Sequence, residues 1–519
     1  MVRTVDLRTP HLLVSAVLLL GARAVHAQAD AGTAAPPPAT ATPDGGAAPA
    51  APAAPSDAPT ETGGGLFEQS QAAAAAPANA GPEAAAAKPP FTLNGYARGD
   101  LFAGKVPGQN AAEMKAAYGE LSLQLRTAKS TYGDGFAEAR VRYGLQGADH
   151  GTFVDLREAY VNAYLGPVDL RIGQQIIVWG RADALNPTNN ITPVDFRIRS
   201  PLEDDIRVGN VGARGFLRLA PLPLRLEGVW MPVYLATELP PVALPQYVYF
   251  GTPTFPSPDL RNGLGAGRLH LELPAFEASV SYLRGYAPLP GLALQSVTFD
   301  PNNPSVVVTR TAYQQQVIGL DFSTALGDVL TLRGEAAYRR PNGYQTDSTQ
   351  NPSYLARPDL QYVVGVDHTF GSTTVIAQYL GRYVFDWQKA MGPSMSPDML
   401  VVILKTQNPA DFGDMVNRAV NSQLAKQSQI LFGQTAKVQH IATLRVESLL
   451  AHETLSLSSL VLVNFTTQEW LITPRIGWRM SDAMTAYVGA QVFHGPTDTL
   501  FGLIDADLSA GYAELRFTY

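Results

Sequence analysis

Ala513-Glu514-Leu515-Arg516-Phe517-Thr518-Tyr519 alternates apolar and polar side chains up to an aromatic last residue. A period of two places Leu515, Phe517 and Tyr519 on one face and Glu514 and Arg516 on the other. A strand of this kind left unpaired invites aggregation. A closed barrel removes the hazard by pairing the last strand with the first.

Working outward from this strand, the chain from Phe91 onward repeats one unit. A strand of about ten residues meets a tight turn, then a second strand, then a longer loop, the rhythm of a transmembrane barrel. Short turns are read at Tyr132–Gly135, Leu165–Pro167, Pro221–Pro223, Leu273–Phe276, Leu326–Asp328, Phe370–Ser372, Ala451–Glu453 and Met480–Ala483. They join sixteen strands. A first strand, Phe91–Ala103, and a last, from about Asp507, bring the expectation to eighteen, with sixteen as the alternative. The fold class expected is therefore all-β, a transmembrane antiparallel barrel with long outer loops over residues 91–519.

The faces follow from energetics. Glu138, Arg140 and Arg142 oppose Ala139, Val141 and Tyr143, and Arg225 and Glu227 oppose Leu224, Leu226 and Trp230. Arg333 and Glu335 oppose Leu332 and Ala336, and Arg268 and His270 oppose Leu269 and Leu271. An Arg or Lys facing lipid at mid-bilayer costs ~2–4 kcal/mol. A dozen would overwhelm a net stability of ~5–15 kcal/mol. The charged rows must point inward, to water. A soluble β-sandwich shows the same alternation with the faces reversed, and the remainder of the chain weighs against it.

Arg3 and Arg8 precede the apolar run Leu12–Leu20, and Val25, His26 and Ala27 follow. This reads as a secretory signal peptide over 1–27, with an uncleaved anchor as the alternative. The run is shorter than the ~20 residues of a spanning helix. Residues 28–90, rich in Ala, Pro, Gly and Thr, read as a disordered periplasmic linker, with a short helix around Pro82–Lys88 and entry into the barrel mouth as the alternatives. The chain has no cysteine, which excludes thiolate metal sites and cysteine nucleophiles. Its charged residues are 16% of the chain and its net charge is −7, so no basic face points to nucleic acid.

Four connections are long: Arg181–Gly209, Leu235–Asn262, Ala287–Arg310 and Asp386–Thr435. The last far exceeds an ordinary connection. Within it Pro409–Leu431 carries Phe412, Val416, Ala419, Val420 and Leu424 near a 3.6 period, between Pro409 and Gly433. This helix either folds into the barrel as a gate or caps its outer mouth. Glu203, Asp204 and Asp205 offer carboxylates to a divalent cation or form a salt-bridged patch with Arg197, Arg199 and Arg207.

The most distinctive run is Leu170-Arg171-Ile172-Gly173-Gln174-Gln175-Ile176-Ile177-Val178-Trp179-Gly180, leading to Asn186-Pro187 and Thr192-Pro193-Val194-Asp195. It resembles a large, uncharacterised family of Gram-negative outer-membrane porin-like barrels whose strand runs Arg-x-Gly-Arg-Gln…Trp-Gly, and more distantly the alginate-export barrels. Gln174 stands where that pattern has Arg. The aromatic end at Tyr519 is similar to the last strand of outer-membrane barrels, where Phe is commoner. The resemblance implies a porin-like barrel in the Gram-negative outer membrane, inserted by the barrel assembly machinery, and names no solute.

Arg171, Gln175 and Trp179 share the face of Gly173, together with Ile177, which breaks the polar row. Trp179 beside Arg181 suits stacking on a solute. The plainer alternative is a network pinning the following loop, with Arg171 paired to a carboxylate. The lumen and constriction candidates are Arg171, Gln175, Trp179, Arg181, Arg140, Arg142, Arg333 and Glu335. No catalytic, cofactor or metal residue is expected. The eight histidines are scattered and no nucleophile elbow appears, leaving a hydrolase as the remoter alternative. The function expected is passive diffusion of small polar or amphipathic solutes through a monomer or homotrimer, with a structural or adhesive barrel of occluded lumen as the other reading.

Overall fold

A computed structural model describes residues 90–105, 111–147, 149–239, 247–300, 302–327, 330–346, 348, 351–390, 402, 405 and 413–519. The signal peptide, nearly all of the linker and the first part of the Pro409–Leu431 helix lie outside the described residues.

The first nine strands are β1 (Phe91–Lys105), β2 (Ala112–Thr127), β3 (Gly133–Gln146), β4 (Asp149–Leu165), β5 (Val168–Gln175), β6 (Asn210–Arg218), β7 (Leu224–Met231), β8 (Val248–Phe250) and β9 (Leu264–Leu273). Next come β10 (Phe276–Tyr286), β11 (Gly291–Thr298), β12 (Ser305–Thr311), β13 (Gln314–Leu326), β14 (Leu330–Pro341), β15 (Asp359–Phe370) and β16 (Thr373–Val384). Helix α1 (Gly413–Leu431) leads to β17 (Val438–Leu450), β18 (Leu455–Asn464), β19 (Glu469–Arg479) and β20 (Met484–His494), then helix α2 (Leu500–Leu508) and β21 (Ala510–Thr518).

All strands except β8, β11 and β12 form one 18-stranded antiparallel sheet that closes on itself. Closure is made by β1 against β21, in register from Tyr96 opposite Thr518 to Gly104 opposite Ala510. The expected turns are present among the described residues, the first shifted to 128–132 because β3 already starts at Gly133, while Asp328 of the Leu326–Asp328 turn lies outside them. The last strand does not begin near Asp507. Leu500–Leu508 is helical, capped by Thr499, whose side chain accepts from the Gly502 amide.

The two faces separate cleanly. On β2, Leu121 and Leu123 are each 40% exposed while Glu120 is 4% and Ser122 0% exposed. Leu101, Val141, Val280, Val364, Val488 and Leu515 extend the outer apolar surface around the barrel. Such a belt matches hydrocarbon and not water, and inward charge satisfies itself by pairing.

The Ala287–Arg310 connection, expected only as a long connection, has regular structure of its own. It forms the β11–β12 hairpin, and β8 adds to β12 in parallel. This small sheet shares an apolar core with the two helices and the upper wall, including Leu292, Val308, Val416, Leu424, Leu380 and Ile441. Helix α1 ends where Gly433 takes φ +61°, a left-handed residue after the last turn. The Gly433 and Gln434 amides donate back to the Ile430 and Gln429 carbonyls, closing that end.

Candidate functional site: an inserted segment braced inside the barrel

Strand β5 stops at Gln175, and the chain turns into the barrel for residues 176–209 before β6 begins. Gly173, two residues before that end, is still paired on both sides, with Tyr160 and Gly212. Its φ is +137°, and a Cβ there would meet the Ala159 carbonyl oxygen at 2.2 Å and Tyr160 Cα at 2.7 Å. Ile177 and Trp179 lie beyond the strand, and the break in the polar row disappears. Ile177 packs with Trp179, Ile191, Val229, Leu264 and Leu283 in a small apolar cluster. Its amide donates to the Thr192 hydroxyl at 2.9 Å. Gln174 faces the other way, and its side-chain amide caps the Leu156 carbonyl. That carbonyl belongs to the outer part of β4, which extends beyond its pairing with β5.

One half of the segment is fixed to the wall from β7 to β17. The Trp179 indole N–H donates to Glu227 at 2.9 Å. Glu227 also accepts from Arg214 at 2.8 Å and contacts the His270 ring at 3.0 Å. The Arg268 guanidinium lies 5.6 Å over the Trp179 ring. Trp179 is 1% exposed, so its ring is enclosed by this cage and offers no stacking face to a solute. Arg181 reaches Asp321 at 2.9 Å and Glu277 at 2.6 Å. Glu335 accepts the Arg181 and Ala182 amides at 3.0 and 3.1 Å with one oxygen. Its other oxygen takes the Thr188 amide at 2.6 Å and hydroxyl at 2.8 Å. Asp183 pairs with Arg445 at 2.7 Å.

The other half is fixed on the opposite wall. Asp205 sits in the short turn Glu203–Ile206, 2.7 Å from both Arg98 of β1 and Arg140 of β3. Burial raises its carboxyl, but the Arg98, Arg140 and Arg157 guanidinia outweigh burial and hold it well below the usual carboxylate range. Asp204 pairs with Arg207 at 3.1 Å, and its carbonyl takes Arg157. These acids are thus spent on guanidinia. Tyr118 of β2 donates to the Arg199 carbonyl at 2.6 Å, and Gln491 of β20 to that of Ser200 at 3.3 Å.

The remaining candidates belong to the wall. Arg142 donates to Glu120 at 2.8 Å, and Arg333 meets Asp367 at 3.0 Å. Gln175 donates to the Gly212 carbonyl at 3.2 Å. Arg171 has no carboxylate of the expected kind among the described contacts. It donates to Asn162 at 2.8 Å and lies 3.8 Å over the Tyr160 ring. Sequence reasoning did not single out Arg98, Asp321, Asp183 or Arg445 as sites, and it offered Asp205 to a cation or to Arg197, Arg199 and Arg207 rather than to Arg98 and Arg140. Inward register alone marks the wall members, and no local signal identifies their partners.

The segment crossing the barrel is 176–209. Helix α1 packs on β11, and its Val416, Ala419, Val420, Leu424 and Ile430 join the apolar core shared with Leu380 and Ile441 of the wall.

A family model described as "Protein of unknown function (DUF1302)" matches residues 93–436. The chain belongs to the DUF1302 family. The DUF1302 match spans the inserted segment and most of the wall that holds it. No curated protein matches. Among solved structures, this DUF1302 chain is similar to Acinetobacter baumannii OccAB1, at 10% identity and TM-score 0.48, over 83% of this chain and 96% of that one. It is similar to Pseudomonas aeruginosa OccK3 (OpdO), at 12% identity and TM-score 0.45, over 83% and 95%. Pseudomonas aeruginosa OccK2 (OpdF), solved in complex with glucuronate, gives 12% identity and TM-score 0.45, over 83% and 97%.

Proposed function

We infer that this protein is an outer-membrane channel through which small polar or amphipathic solutes diffuse, along a path narrowed by the 176–209 segment. The observation that carries this reading is the interior of the barrel. Barrels of 16–18 strands enclose an aqueous lumen. Here the inner rows are charged and paired, and the segment crossing them is held by polar contacts that water can replace. An inert structural barrel has no use for a polar interior, since apolar packing fills space without the desolvation cost of buried ions.

The second reading, a structural barrel with an occluded lumen, draws on the apolar core that α1, α2 and the β11–β12 hairpin form inside the upper wall. Planar-bilayer recording and liposome swelling separate the two. The channel reading expects discrete conductance and solute-dependent swelling for the refolded chain. Absence of both, in the native chain and in a chain whose 182–205 stretch is replaced by a short Gly/Ser linker, would establish the occluded barrel.

A further inference from the structure

Between β14–β19 and the C-terminal end of α1 lies a cavity of about 110 Å³. Its position is set by register. Arg339, Asp359, Arg382, Gln439 and Asn464 are inward residues at the loop-side ends of their strands. Leu185 and Asn186 of the inserted segment also line it. The cavity therefore lies toward the long-loop side and touches the braced segment directly.

The lining divides in two. Leu289, Leu380, Ile441, Leu462, Phe432 and Phe501 form an apolar side. The polar side carries three guanidinia, Arg339, Arg357 and Arg382, against two carboxylates, Asp359 and Glu469. Arg339 engages Asp359 through two hydrogen bonds of 2.8 and 2.6 Å, so those charges cancel. Glu469 accepts the Phe501 amide at 2.7 Å, at the start of α2. Arg382 donates to the Phe432 carbonyl at 3.0 Å and to that of Gly433, and stands 3.6 Å from Asp359. Arg357 donates to the Tyr344 hydroxyl at 3.3 Å and to the Asp386 carbonyl. The surplus charge of the cavity is positive, although the whole chain carries −7.

We propose that this cavity is a binding site for a compact amphipathic monoanion, with its apolar body on the leucine and phenylalanine side and its acidic head toward Arg382. The proposal rests on the channel reading, because the cavity lies on the path that reading assigns. A polyol would bury hydroxyls against Leu462 and Phe501 without partners, which disfavours it. A cation would meet the surplus guanidinium charge. An apolar body with one anionic head satisfies both sides.

Calorimetric titration of the full refolded chain tests this with 3-phenylpropionate, 3-phenylpropanol, 2-phenylethylamine and gluconate. The acid is expected to bind about ten-fold more tightly than each of the others, the worth of one charge-assisted hydrogen bond. Arg382→Gln should erase the preference of acid over alcohol. Because Arg382 also holds the end of α1, Gln361→Glu provides a second route: a carboxylate added to the polar side cancels the surplus charge and should likewise erase the preference of acid over alcohol. Leu462→Asn should weaken both the acid and the alcohol. Equal binding of gluconate and phenylpropionate, no phenylpropionate binding at millimolar concentration, or an acid-to-alcohol ratio unmoved by both charge variants would overturn the site. Bilayer conductance is recorded in parallel. Conduction without the binding preference defeats the site and leaves the channel, whereas binding without conduction defeats the channel reading.

Discussion

Asp205 shows how a single side chain holds the inserted segment. A carboxylate buried between Arg98 and Arg140 stays charged because its folded pKa is depressed. Its contribution is therefore complete above the unfolded value of ~3.9 and fades as pH falls through the lower folded value. The part of the conductance that Asp205 restrains should not change from pH 7 to about 4 and should rise only in stronger acid. Asp205→Asn should raise it at neutral pH, since breaking a buried pair costs ~3–5 kcal/mol; single-channel recording across pH checks both. Gly173→Ala should destabilise the barrel by more than ~1 kcal/mol in urea titration, because alanine can neither adopt φ +137° without strain nor avoid the Ala159 carbonyl. Alternation along a strand marks which of these residues face inward. Partners such as Asp205 for Arg98, or Asn162 for Arg171, are set by loop geometry and neighbouring strands, which alternation does not encode.

At the scale of elements, two long connections compete for the role of constriction. The helix in the Asp386–Thr435 connection is legible because its apolar residues recur at helical spacing. The path of 176–209 is not. Its Asp183, Asp205 and Arg181 read equally well as residues solvated outside the barrel, and only the facing charges of the wall draw them in. The β11–β12 hairpin escaped notice for a related reason: Leu292, Leu294, Val306 and Val308 sit among polar residues and Pro304, which read as a loop. Replacing Ala182–Asp205 with a short Gly/Ser linker should therefore enlarge single-channel conductance several-fold. Deleting Gly413–Leu431 should change it less. The reverse order would return the constriction to the helix.

For the whole molecule, barrel class, strand number and face assignment were open to the sequence because the energetics are one-sided. The lipid-facing rows tolerate no charge, so every strand repeats the same rule, and eighteen weak signals add up. Val364, 48% exposed near the middle of β15, provides the test. Val364→Arg should cost ~2–4 kcal/mol in urea unfolding from lipid vesicles. Exchanging inward Gln361 for Glu should cost less, since guanidinia already surround it.

The seam between β1 and β21 sets a condition on how the molecule is made. The Gly95 and Tyr519 backbones exchange two hydrogen bonds of 3.1 Å, although these residues stand at opposite ends of the described chain. Every other junction in the wall joins strands nearer in sequence, so the sheet can grow hairpin by hairpin, while this one contact waits for all the rest. Until then two strand edges stay open, the state in which such chains are lost to aggregation. The slowest and most exposed moment of folding is thus placed at its last step, and a catalyst that holds those two edges apart from other chains acts there to greatest effect.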